Sequence, residues 1–163
     1  MTKSRRVCAA VALAATIVFF GAANSSASCG QIDQLVRLPK NLQVLDYFRA
    51  PLCRWCAGNR GIEYRTAPGS AVNATATGIA TFVGSVAGTH YVVVRAGNTV
   101  LVTHGRLAAV IVTTGDMVVV GHAIGVAGES LYVGVRVDGQ YIDPSQCAGL
   151  RSRGKPRAVL VAG

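Results

Sequence analysis

The hydrophobic residues in the second half of the chain form short runs that Gly or Asx turns separate. Five runs follow one another from residue 78 to residue 143: GIATFVGSVAG, THYVVVRAG, NTVLVTHGRL, DMVVVGHAIGVAG and SLYVGVRVDGQYID. Each run is rich in Val, Ile, Thr or Tyr, which favour strands, and no helical period of hydrophobic residues occurs among them. The pattern, which begins at Ala71, predicts an all-β domain with a compact antiparallel sheet core.

The N-terminal residues have a different composition. Residues 2–6, TKSRR, are basic, and residues 7–23, VCAAVALAATIVFFGAA, are apolar and uncharged. This order predicts a secretory signal peptide over residues 1–27. A retained membrane anchor is the alternative, but the apolar run is shorter than the ~20 residues that a spanning helix usually needs. We therefore expect a secreted or envelope-associated protein, with an N-terminal arm (28–45), a core domain (46–147) and a basic tail (148–163).

Removal of the leader changes the charge balance. Lys3, Arg5 and Arg6 leave with it while every acidic residue stays, so the net charge falls from +9 to +6. Outside a cell, a basic domain is attracted to anionic wall polymers or phospholipid headgroups over a Debye length of ~8 to 10 Å. A simple contribution to solubility is the alternative explanation of this charge. We expect no nucleic-acid partner.

The cysteines agree with export. Cys29, Cys53, Cys56 and Cys147 remain in the mature chain, and an even number in an oxidising compartment predicts two disulfides. A structural zinc site needs a second Cys or His pair, and a redox CxxC needs a helix start, whereas PLCRWCAGNRG predicts a loop. We expect Cys53 to pair with Cys56 and Cys29 with Cys147. Cross pairing stays open because the short loop is strained, and lipid modification of Cys29 is a further alternative.

Three separated segments occur in an order typical of one enzyme family. They are GNRGIEYRTAPGSAVNATATGIATFVG, then VTHGRL followed by GDMVVVGHAIGVAG, and finally SLYVGVRVDGQYIDP. Together they resemble the lysostaphin-like zinc endopeptidases, the duplicated-hybrid-motif family that cuts peptidoglycan cross-bridges, and above all its short secreted actinobacterial members. The resemblance spans roughly residues 45–145. It implies the antiparallel sheet core of a lysostaphin-like peptidase.

The resemblance also assigns positions in a zinc site. The family needs a His and a carboxylate in an HxGxD-like element and a later His in an HxH-like element, and these positions hold Asn59, Glu63 and Tyr132. Two more histidines handle protons during attack by water, and their positions hold Ser130 and Arg106. Of the three ligand positions, only Glu63 keeps a charged oxygen, because an amide is neutral and a phenol has an ordinary pKa near 10.

The histidines of the chain lie elsewhere. His104 is two residues before Arg106 in a predicted strand, so we expect both to face the same side. There His104 could join Glu63 and Tyr132 in a weak metal site, but we expect an ordinary polar residue that lines a shallow groove. His90 and His122 follow Gly-rich turns, and we expect both to be solvated.

Loss of zinc would leave the Glu63 carboxylate without a cation in the groove. We expect the Arg106 guanidinium to pair with it, while Asn59 and Tyr132 complete the hydrogen bonds. The predicted binding groove therefore consists of Asn59, Glu63, His104, Arg106 and Tyr132.

The replaced residues point to a protein without peptidase activity. We expect no intact catalytic residue and no metal, and a role in binding peptidoglycan or regulating another cell-wall hydrolase. One alternative is an active metalloendopeptidase with a noncanonical site, for which zinc would be the cofactor. A structural envelope protein is the second alternative.

Overall fold

One antiparallel sheet of nine strands dominates the computed structural model, which describes residue 32 and residues 34–147. The predicted signal peptide and the basic tail lie outside the described residues. No helix within the described part is long and apolar enough to cross a membrane. The elements are β1 (Val44–Asp46), β2 (Ile62–Arg65), β3 (Ala71–Asn73), β4 (Gly78–Val86), β5 (Thr89–Ala96), β6 (Val100–Val110), β7 (Met117–Val118), β8 (Ala123–Val137), β9 (Gln140–Ile142) and α1 (Pro144–Cys147).

The longest strand, β8, organises the sheet. The strand order is β1-β2-β8-β6-β5-β4-β7, and both β3 and β9 also pair with β8. Every one of these pairings is antiparallel. The predicted all-β fold with a compact antiparallel core is therefore confirmed.

The segment DMVVVGHAIGVAG does not form the single strand that its composition predicts. β7 ends at Val118, and a turn follows in which Gly121 has a φ of 87°. β8 then begins at Ala123 and continues through Gly128 without a break. It does so because β3 and β6 pair with its first half and β2, β6 and β9 with its second half, so its backbone groups have partners on both sides of Gly128.

The core forms where alternate side chains of the sheet meet the segment before β1. Inward positions of β5, β6 and β8 are almost completely buried, as the period of two along a strand requires. Ile32, Val36 and Leu38 belong to the same cluster, so residues before β1 cover part of the sheet. The largest fully buried aliphatic residues of the sheet are Ile62, Val92, Val94, Val100, Val102, Ile124, Val133 and Val135.

The loop between β1 and β2 carries the expected short disulfide. Cys53 and Cys56 are bonded, with 5.0 Å between their Cα atoms, which confirms this pairing. The second expected pairing lies outside the described residues, since neither Cys29 nor the side chain of Cys147 is described.

Candidate functional site

Three neighbouring strands bring three of the five predicted groove residues, Glu63, Arg106 and Tyr132, to one face of the sheet. Glu63 on β2 lies opposite Tyr132 on β8, and Tyr132 lies opposite Gly105 on β6. Directly opposed residues of antiparallel strands share a face. Residues far apart in the sequence therefore meet where β2, β8 and β6 run side by side.

A β-bulge in β6 decides where Arg106 points. Val102 and His104 face the core, and strict alternation would turn Arg106 inward as well. The pairing register with β8 instead shifts between Gly105 and Leu107, and Arg106 takes a φ of 63°. The extra residue moves Arg106 to the open face and returns Leu107 to the core. A positive φ on an arginine is strained, by an amount of order 1 kcal/mol.

Arg106 and Glu63 form an ion pair across the strands. Arg106 Nη2 donates to Glu63 Oε1 at 2.6 Å, which confirms the predicted pairing. The Glu63 side chain is 18% exposed and the Arg106 side chain is 50% exposed. Because water screens the guanidinium, we assign the pair only about 1 kcal/mol of stabilisation.

Asn59 does not complete the hydrogen bonds of this pair, as the sequence analysis expected. Its Nδ2 donates to the Tyr47 carbonyl at 3.2 Å, and its Oδ1 accepts from Gly61 N–H at 3.2 Å. Both the nitrogen and the oxygen of the side-chain amide therefore form hydrogen bonds with backbone groups. Asn59 is buried and joins the loop around Arg49 to the start of β2, so it has a local structural contact instead of a place in the groove.

His104 does not line the groove either, and the prediction that it shares a face with Arg106 is wrong. The bulge separates the two, so the His104 ring lies wholly inside the core. Its Nε2 accepts from Thr75 N–H at 3.1 Å and lies 2.9 Å from Thr75 Oγ1. Burial lowers the pKa of His104 to about 4, with the Val92 backbone acting in the opposite direction. The ring is therefore neutral at pH 7 and holds no groove ligand.

Tyr132 lies above a floor of glycines. A Cβ added at Gly61 or Gly134 would approach the Tyr132 ring or hydroxyl to 2.6 Å, and one added at Gly105 would approach the ring to 3.3 Å. Burial raises the pKa of the Tyr132 hydroxyl, and the nearby Tyr141 and Tyr91 raise it further. The phenol is therefore protonated at neutral pH, and it makes no hydrogen bond to Glu63 or Arg106 within the described residues.

These side chains surround a shallow pocket of about 300 Å³, which we call the central pocket. Ser130 is half-buried opposite Arg65 and does not line it. The sequence analysis missed three of the lining residues. Strand alternation from Arg106 would put Thr103 on the opposite face, so the bulge hid it from sequence analysis. Tyr141 belongs to the YIDP motif, whereas Tyr91 gave no signal. The lining consists of Glu63, Tyr91, Thr103, Arg106, Tyr132 and Tyr141.

The residues of the central pocket do not fit a zinc ion. Glu63 is already paired with a guanidinium, and Tyr132 holds its proton, so the pocket offers no charged donor set. Within the described residues, no three His, Cys, Asp or Glu side chains are grouped so that they could hold a metal ion. The pocket can instead offer hydrogen bonds from a guanidinium and hydroxyls to a neutral or anionic ligand.

Comparisons with known proteins agree with this architecture. Residues 57–144 match Peptidase family M23, and the chain belongs to this family. No curated protein matches the chain. Among solved structures it is similar to the catalytic domain of EnpA, a prophage-encoded M23 protein from Enterococcus faecalis, with 16% identity, a TM-score of 0.58, and coverage of 74% of this chain and 98% of that one.

Two further solved structures share the fold. Lysostaphin from Staphylococcus simulans has 17% identity and a TM-score of 0.58, over 75% of this chain and 56% of that one. A chain of the SpoIIQ–SpoIIIAH pore-forming complex has 18% identity and a TM-score of 0.61, over 69% of this chain and 90% of that one. The lysostaphin-like fold predicted from the sequence motifs is thus confirmed.

Proposed function

We propose that this chain is a secreted M23 domain without peptidase activity, and that its central pocket binds peptidoglycan. The observation that carries the proposal is the ion pair between Arg106 and Glu63. It puts a protein cation against the one carboxylate that the family's zinc site would use. The pocket is open to solvent and lined by three tyrosines, which supports binding of a ligand by a site that lacks the family's histidines.

The chemistry of the family positions supports loss of activity. A zinc peptidase needs a metal-bound water and groups that exchange protons near neutral pH. Arg106 and Ser130 stand at the two proton-handling positions, in place of the imidazoles that most often exchange protons in catalysis. No step of peptide hydrolysis can be assigned to the pocket residues. Zinc as a cofactor belongs only to the alternative of an active enzyme.

Activity is tested by muropeptide release. The purified secreted protein is incubated with sacculi and with Gly-rich peptides, with zinc added and with a chelator added. We expect no release in either condition, because no residue of the central pocket can activate water. Zinc-dependent release that the chelator abolishes would establish the active alternative and reject the proposal.

Binding is tested by co-sedimentation with purified sacculi at two salt concentrations. The variant Thr103→Trp fills the central pocket from its wall, and Thr99→Trp adds the same side chain at an exposed turn as the matched control. We expect wild type and the Thr99 variant to sediment with sacculi at both salt concentrations and the Thr103 variant to stay in solution at the higher one. Equal binding by both variants, or binding that high salt abolishes, would count against the pocket.

A contact with another wall hydrolase is the second candidate role. One chain of the SpoIIQ–SpoIIIAH pore-forming complex has this fold, which supports the idea that the fold can present a protein-binding surface. The test measures sacculus digestion by an active M23 peptidase with and without added protein. A change in rate that Thr103→Trp abolishes and Thr99→Trp preserves would support this role, and an unchanged rate would reject it.

A further inference from the structure

A second, larger concavity lies beside the central pocket, and Tyr141 borders both. Its volume is about 970 Å³, roughly three times that of the central pocket. We call it the arginine–aromatic groove. It is formed by the disulfide loop and the β8–β9 hairpin, and its lining consists of Phe48, Ala50, Pro51, Cys53, Arg54, Trp55, Arg60, Arg136, Gly139, Gln140 and Tyr141.

The charge of this groove is not balanced by its own lining. Arg54, Arg60 and Arg136 line it, and no Asp or Glu does. None of the three arginines is in an ion pair with a described acidic residue, although Arg49 and Arg106 both are. Every acidic residue except Asp33 is in the described part of the chain. The groove therefore concentrates three positive charges that call for an anionic partner.

Aromatic rings hold these arginines in place. The Arg54 guanidinium lies 5.0 Å from the Trp55 ring centre, and Arg136 and Arg60 lie 5.1 and 5.9 Å from the Tyr141 ring centre. A guanidinium at such a distance is attracted to the face of the ring and keeps N–H groups that can donate to oxyanions. Arg60 is further fixed by donating to the Arg54 carbonyl at 2.7 Å. The donors are thus arranged before a ligand arrives.

The disulfide constrains the loop that carries Trp55 and leaves Trp55 exposed to solvent. Cys53 and Cys56 close the loop that carries Trp55, whose side chain is 85% exposed. A large aromatic side chain on a constrained loop offers apolar contact area to a ligand at a low cost in conformational entropy. Trp55 and Tyr141 therefore offer flat apolar faces next to the guanidinium groups.

We propose that the arginine–aromatic groove binds an acidic polysaccharide. Sugar rings have flat apolar faces that can stack on Trp55 and Tyr141, and their carboxylate or phosphate groups can accept from the three arginines. A lipid surface fits less well because it is flat, whereas these arginines line a concavity. A nucleic acid has similar chemistry but is not the polyanion of the compartment that the N-terminal sequence predicts. The proposal shares that expectation of export with the proposed function and shares Tyr141 with the central pocket, whereas Trp55 and the three arginines line only the groove.

The test measures binding of the secreted protein to polygalacturonate, with neutral dextran of similar length as the uncharged comparison. We expect binding to polygalacturonate and none to dextran. Arg60→Ala removes a charge-assisted contact and should weaken binding about tenfold or more, and Trp55→Ala should weaken it about three- to tenfold. Arg37→Ala, an exposed arginine outside the groove, is the matched control and should change binding less than twofold.

Further arms separate the sources of an anion. Polyphosphate carries charge without sugar rings, and a teichoic-acid-type polyol phosphate carries phosphate along a sugar or polyol chain. If the polyol phosphate binds more tightly than polygalacturonate, the groove recognises phosphate groups instead of carboxylates on a carbohydrate chain. An equal loss with Arg37→Ala and Arg60→Ala, or no loss with Trp55→Ala, would show attraction by net charge and overturn the proposal. Tighter binding to oligo(dT) or to anionic phospholipid vesicles would overturn it too.

The outcome is distinguishable from that of the proposed function. Thr103→Trp, which fills the central pocket, should leave polygalacturonate binding intact. Arg60→Ala and Trp55→Ala should leave the sacculus binding that depends on the central pocket measurable at high salt. Circular dichroism and a thermal melt verify that each variant is folded, as expected for Trp55, which is exposed and outside the core cluster.

Discussion

The two faces of β6 use polar residues in opposite ways within three positions of the chain. On the core face, His104 is completely buried, uncharged at neutral pH and hydrogen-bonded to Thr75. On the open face, Arg106 keeps its charge, stays half exposed and pairs with Glu63. The difference shows what favours a polar group in each environment: burial in the core favours the neutral form of His104, whereas the groove accommodates a charge beside an opposite charge and water.

The bulge at Gly105–Leu107 creates this contrast. Without it, Arg106 would point into the same core as His104, where an unpaired guanidinium is very unfavourable. The bulge therefore places the Arg106 guanidinium on the open face, where Glu63 and water stabilise its charge. The predictions below test the contrast between the two faces, beginning with the largest expected effect.

His104→Ala should destabilise the fold strongly. It removes a fully buried ring and leaves Thr75 N–H without its acceptor, so we expect a loss of about 3 to 5 kcal/mol in the free energy of unfolding. Urea denaturation at pH 7 measures it. Arg106→Ala, on the open face of the same strand, is the matched comparison and should cost about 1 kcal/mol. Similar losses in the free energy of unfolding for the two variants would contradict the contrast between the core face and the open face of β6.

Acidification should destabilise the protein through His104. Its pKa is lowered from 6.5 to about 4 in the fold, so the unfolded chain binds the proton more readily between these values. The stabilisation is fully present above pH 6.5 and is lost as the pH falls towards 4, by about 3 kcal/mol at most.

Denaturant titrations from pH 7 to pH 4 measure this loss. His104→Gln should flatten the pH dependence, since its amide does not titrate and can accept from Thr75 N–H. His122→Ala, at an exposed histidine, should keep the wild-type slope. A wild-type slope in His104→Gln would show that another group carries the effect.

The ion pair on the open face should have a smaller energy. In a double-mutant cycle of Arg106→Ala and Glu63→Gln, we expect a coupling of about 1 kcal/mol, because Glu63 is partly buried and Arg106 is half exposed. The coupling should fall when salt is raised. Strict additivity of the two changes would mean that the contact contributes nothing to stability.

The smallest expected effect comes from the backbone strain at Arg106 in the bulge. Arg106 has a φ of 63°, which glycine adopts without strain, so Arg106→Gly should be more stable than Arg106→Ala by about 0.5 to 1 kcal/mol. Thermal melts of the two variants measure the difference, and both lack the ion pair. A more stable Ala variant would indicate that the bulge relaxes when the arginine is removed.

The sequence determined the fold class because the strand signals are local. The alternation of Val, Ile and Thr with Gly turns predicts antiparallel strands, and the three ordered segments led to the lysostaphin-like fold. The pairing of Glu63 with Arg106 was also predictable, since motif order placed both at one centre and a buried carboxylate needs a cation. Each of these inferences depends on residue type and on order along the chain.

Only the tertiary structure decided which face each side chain occupies. Strand alternation put His104 beside Arg106, and one bulged residue in β6 reversed that relation. Asn59 forms hydrogen bonds with the backbone of Tyr47 and Gly61 because the loop brings those groups within reach of its amide. The arginine–aromatic groove likewise combines the β1–β2 loop with a hairpin some eighty residues later. A local pattern specifies a strand, but the register between strands, and so the face of every residue beyond a bulge, depends on the whole sheet.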